Sequence, residues 1–140
     1  ESDQEMGELS TALSKTESGK RLLGLVYDTS SKVTTLPTYL HSHQYYQAQV
    51  GGYAAFGFVE FPISPLVYRQ GVAPPPFAVR FEWTPRRFIQ RYRKYEHYFD
   101  YYLLRTSPKQ KAPRFYPPGI ASKPTLIYKS PRWKLYSRAK

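Results

Sequence analysis

Two of the three histidines stand as His41-Ser42-His43, a spacing at which two imidazoles could share a metal ion. On a strand both rings would face one side. On a helix they point roughly 200° apart and cannot meet on one ion. The nearest acids are Asp28 and Glu60, and His97 is the only other imidazole, so further ligands would come from afar. The surrounding residues read as helix, which makes His43 a packed core histidine and leaves no metal or cofactor to expect. Nearby, His41, Tyr45, Gly51 and Gly52 are the residues placed to face a ligand. Gly51-Gly52 could cradle a phosphate only if a helix began after it. A helix ends there instead, so the pair reads as a stop.

Other chemistry is thinly supplied. No serine sits in a G-x-S-x-G elbow, and no G-x-G-x-x-G or Walker pattern occurs. Paired carboxylates would have to come from Glu60, Glu82, Glu96 and Asp100, of which Glu96 and Asp100 read as partners of nearby arginines. No catalytic residue is assigned. Arg86, Arg87, Arg91, Arg93 and Lys94 form a dense basic run interleaved with Tyr92, Tyr95 and Tyr98. Arginine beside stackable rings suits single-stranded nucleic acid. The tyrosines, however, recur at helical spacing, which turns them toward a core and leaves the cations as an anion-binding surface. Lipid headgroups suit such a surface at least as well.

The net charge of +11 is unevenly spread: after Asp100 the chain holds ten Lys or Arg and no acid. Such an excess attracts polyanions, whether nucleic acid, anionic lipid or anionic glycan. The absence of cysteine excludes disulfides and thiolate metal sites. No run reaches the ~18 apolar residues of a membrane span, and no signal peptide is visible. The chain opens at Glu1 rather than methionine, as expected of a piece of something longer. Its 140 residues fit a single domain, 1–140, and 14 Tyr, 8 Phe and 2 Trp supply large rings for its core.

The elements that must position these residues follow from periodicity. Ser2 or Asp3 caps a helix with Met6, Leu9 and Leu13 on one stripe, and Gly19 stops it. Arg21–Asp28 is a nearly continuous apolar run, as in a strand covered on both faces. After a polar turn, Thr35 and Pro37 start a helix with Tyr39, His43, Tyr46 and Val50 on one face. Gly51-Gly52 ends it, and Tyr53–Phe61 is a second strand, with Ala54, Ala55 and Gly57 allowing close approach. Leu66–Arg69 reads as an edge strand, and Pro74–Pro76 as a stiff loop after Gly71. Thr84 and Pro85 start a third helix that buries Phe88, Tyr92 and Tyr95. Phe99–Arg105 is a strand, and Thr125–Lys129 with Trp133–Arg138 forms a closing hairpin around Ser130-Pro131-Arg132. This alternation predicts an α/β domain: a mostly parallel twisted sheet flanked by helices, with a C-terminal antiparallel hairpin.

In order, GLVYD, LPTYLHSHQYYQAQVGGYAAFGF, PPPF, FEWTP, FDYYLLR and PRWKLYSRA span nearly the whole chain. Together they resemble the C-terminal soluble domain of polytopic bacterial membrane proteins of the GT-C glycosyltransferase-like kind. That resemblance implies an extracytoplasmic, non-catalytic module in the cell envelope, attached through transmembrane segments outside this chain, that binds or positions an anionic glycan or lipid-linked substrate. It places the family's catalytic acids in membrane-proximal loops that this chain lacks. The alternative is a basic nucleic-acid-binding module, which would be cytoplasmic.

Overall fold

The computed structural model describes residues 2–30, 41–55, 70 and 81–138. Helix α1 (Ser2–Leu13) opens the chain, with Asp3 and Glu5 in its first turn at the positive end of the dipole. Ser2 already belongs to the helix, so Ser2 and Asp3 lie within its first turn rather than capping it. Gly19 does not end it either. The side chains of Ser14 and Thr16 bond back to the carbonyls of Thr11 and Leu13, at 2.6 and 2.5 Å, and close the last turn. Gly19, at φ 72°, turns the chain into β1 (Arg21–Val26).

The helix expected around His41 and His43 is shorter than its periodicity suggests. It begins as a 3-10 turn at Ser42–Gln44, continues as α2 (Tyr45–Gln49), and has His41 before it in the left-handed region, at φ 65°. Gly51, at φ 83°, ends this segment as expected, and β2 (Tyr53–Ala54) follows. The expected start at Thr35 and Pro37, the outer part of the Tyr53–Phe61 strand, Leu66–Arg69 and Pro74–Pro76 lie outside the described residues. The third expected helix is a 3-10 helix at Pro85–Gln90 followed by α3 (Tyr92–Tyr95). Strands β3 (Tyr101–Arg105), β4 (Thr125–Lys129) and β5 (Trp133–Ser137) complete the domain.

The five strands form one sheet in the order β2-β1-β3-β5-β4. β1 runs parallel to β2 and β3, whereas β5 is antiparallel to both β3 and β4. The sheet is therefore mixed rather than mostly parallel, because the closing hairpin docks through β5 directly onto the central β3. Alternation along β1 and β3 sends side chains to both faces, and both are covered. Leu22, Leu103, Trp133 and Leu135 meet Leu9 and Leu13 of α1 and Tyr46 of α2 on one face. Leu23, Leu25, Tyr102 and Leu104 meet Phe88, Tyr92, Tyr95, Phe99 and Phe115 on the other. The rings thus point inward, as their helical spacing requires. Phe88 lies 5–7 Å from its neighbours, with Tyr102 at 5.8 Å and Tyr92 at 6.0 Å, the range of favourable ring pairs.

Two glycines allow close packing. A Cβ on Gly24 would fall 2.5 Å from Cγ of His43, so only glycine lets that ring lie across β1. A Cβ on Gly52 would likewise strike the ring of Tyr46, whose hydroxyl donates to Glu17 O at 2.6 Å.

Candidate functional site

His41 and His43 come together, contrary to the helical expectation. Because His41 is left-handed and the turn after it is 3-10, both rings reach one carboxylate, Glu82, instead of diverging. Nδ1 of His41 lies 3.1 Å from Oε2 and Nδ1 of His43 lies 3.5 Å from Oε1. The backbone N–H of His41 also donates to Glu82. His43 and Glu82 are 2 % and 1 % exposed, and Nε2 of His43 donates to Ala55 O at 2.7 Å. Burial pushes the Glu82 carboxyl up, but the His43 hydrogen bond, the two imidazoles and the His41 N–H outweigh it and hold the carboxyl below its ordinary value. This cluster is a buried clasp between two segments. Among the described residues no group of three or more His, Asp or Glu is arranged to hold a metal ion. Tyr45 is exposed on α2, and Gly51 and Gly52 pack at the far end of that segment. His41, Tyr45 and the glycines therefore do not converge on one site.

At the carboxyl ends of β1 and β3, where open α/β sheets commonly take ligands, the space is filled by ion pairs. Arg105 reaches Glu5 at 3.0 Å, and Arg132 reaches Glu5 at 2.8 Å and Asp28 at 3.3 Å. Each guanidinium there has a carboxylate, so the network staples α1 to the sheet and leaves no surplus charge for an anion.

The opposite face of the hairpin differs. A cleft of about 640 Å³ lies between β4, β5 and the segment from Pro108 to Ala112, a volume suited to a small ligand. Three lysines line it: Lys111, Lys129 and Lys134. Strand alternation places Lys134 on the inward side with Tyr136, while Trp133 and Leu135 face α1. Lys134 is only 4 % exposed, and its Nζ donates to the hydroxyl of Thr106 and, at 3.4 Å, to Pro131 O. Both acceptors are neutral. No Asp or Glu lines the cleft among the described residues. Burial, and then the charge of Lys129, lower the Lys134 pKa from its ordinary value. Burial raises that of Tyr136, keeping its hydroxyl a donor.

No protein-family model, curated protein or solved structure matches this chain.

What the cleft can do therefore rests on its own side chains: three cations, two hydroxyls and no acid make a receptor for a negatively charged group. The basic run sits elsewhere. Arg86, Arg87, Arg91, Arg93 and Lys94 are all exposed along Pro85–Tyr95, with Tyr92 and Tyr95 buried beneath them. Those two rings are core, and so form no stacking platform. Asp100 pairs with Arg138 at 3.3 Å, as anticipated, whereas Glu96 lies 3.5 Å from His97. Sequence reasoning missed the lysine cleft, although one signal was available. Lys134 stands between Trp133 and Leu135 in a strand expected to pack on the sheet, which marks it as a buried cation. Among the described residues no helix is long and apolar enough to cross a membrane.

Proposed function

We propose that this chain is a non-catalytic α/β binding module whose cleft over β4 and β5 takes the anionic group of a glycan or lipid-linked substrate. The observation that carries this reading is the buried Lys134, held by neutral oxygens with Lys129 opposite it and no carboxylate in the cleft. Three cations gathered without counter-charge are unfavourable until an anion joins them. The exposed stripe from Arg86 to Lys94 supplies a second, less selective attraction toward an anionic surface, each cation near such a bilayer contributing ~1 kcal/mol. Placement of the module on the extracytoplasmic face of a bacterial membrane, within a glycosyltransferase-like envelope protein, rests on the resemblance of its motifs alone.

Calorimetric titration with a short polyuronate oligosaccharide tests the reading against a neutral oligosaccharide of equal length. Binding should be confined to the charged ligand, weaken with salt, and fall at least about tenfold in a K111A/K129A variant, the loss of some 1.4 kcal/mol. Unchanged binding by that variant, or salt-dependent binding of oligonucleotides alone, would overturn it.

A further inference from the structure

The amine of Lys134 has an environment that simple charge pairing does not need. Its Nζ is buried, its partners are a hydroxyl and a carbonyl, and a second lysine faces it across the strand pair. An anion receptor works best with fully charged ammonium groups at its rim, which Lys111 and Lys129 already provide as exposed side chains. A desolvated lysine next to another cation is the arrangement that yields an amine nucleophile.

We infer that Lys134 captures its ligand covalently and reversibly, as an imine with an aldehyde or ketone that also carries a carboxylate or phosphate. The anionic group lies toward Lys111 and Lys129, and the carbonyl carbon meets Nζ. The ligand class rests on the anion-binding reading above. The Lys134 nitrogen lone pair attacks the carbonyl carbon to give a carbinolamine. The C–O bond then breaks, both amine hydrogens leave with that oxygen as water, and a C=N bond remains. No oxidant or reductant is involved, and added water reverses every step. Lowered basicity favours the step, because each unit of pKa depression raises the free-amine fraction at neutral pH about tenfold. The open-chain form of an acidic sugar has both required groups, an aldehyde and a carboxylate.

The test uses pyridoxal 5′-phosphate, an aldehyde bearing a phosphate, at one equivalent and neutral pH. Borohydride reduction fixes any imine as a secondary amine, and peptide mapping locates it. The expected result is a single adduct at Lys134, about tenfold above any other lysine, weaker with unphosphorylated pyridoxal and weaker in the K111A/K129A variant. K134M should lose it while keeping the wild-type circular dichroism spectrum. Because the wild-type map decides alone, a misfolded variant does not spoil the experiment. Labels spread over exposed lysines, with Lys134 unmodified, would overturn the inference. If inorganic pyrophosphate still binds that unlabelled protein, the anion-binding reading survives; if it does not, both fall.

Discussion

Lys129 and Lys134 are cross-strand partners, their Cα atoms paired in the antiparallel ladder of β4 and β5. Like charges placed directly opposite on a sheet are destabilising, by an amount comparable to the ~0.2–1 kcal/mol that favourable pairs contribute. Nothing in the cleft offsets them. The pair is a local cost that an arriving anion removes.

That cost predicts the sign of a substitution. K129A should raise the thermal midpoint of the ligand-free protein by a few degrees, corresponding to roughly 0.5 kcal/mol. Added pyrophosphate should stabilise the wild type more than the variant and close the gap. Differential scanning calorimetry with and without pyrophosphate reads both effects, and a variant less stable than wild type without ligand would contradict them.

The clasp at Glu82 sets an acid limit. The folded protein holds this carboxyl below its ordinary 4.5, so its contribution is present above that pH and is lost as pH falls through the depressed value. E82Q should cost about 1–3 kcal/mol at neutral pH, since it weakens the contacts of two histidines with a buried acceptor. Urea titrations at pH 7 and about pH 3 should show the difference between wild type and variant shrinking at the lower pH.

Alkaline behaviour divides between two groups. Lys134 has a lowered pKa when folded, so the unfolded chain binds more protons between that value and 10.5, and stability rises with pH across the window. Burial pushes Tyr46 and Tyr92 up to about 12. Their contribution is complete below 10 and disappears as pH climbs toward 12. Urea midpoints measured upward from neutral pH should therefore rise and then fall. K134M should flatten the rise and keep the fall.

Two glycines of one sequence type have opposite roles. G24A brings a Cβ to 2.5 Å from the His43 ring and should destabilise by about 1–3 kcal/mol. G7A, in α1 with no heavy atom within 4 Å of the added carbon, should stabilise by about 0.5–1 kcal/mol. Chemical denaturation of the two variants checks the contrast.

What was legible in the sequence follows local rules. The β1 run, the Phe88-Tyr92-Tyr95 stripe, the stop at Gly51 and the β4–β5 hairpin rest on periodicity and turn chemistry, and each is found. Two features that depend on distant contacts were not legible. The left-handed His41 turns its ring onto Glu82, 41 residues away, and no local spacing announces that. Strand order is non-local too: β5 docks on β3, which makes the sheet mixed. The lysine cleft combines both problems, because Lys111 joins Lys129 and Lys134 only after the hairpin folds back under the segment that carries it.

Chemical-shift titration of the lysine side chains, labelled at Cε, with inorganic pyrophosphate tests the central claim most directly. The account predicts that Lys134, Lys129 and Lys111 shift together, saturate first, and report a single dissociation constant. Shifts led by Lys94 and the other exposed lysines, with Lys134 unmoved at saturation, would contradict it.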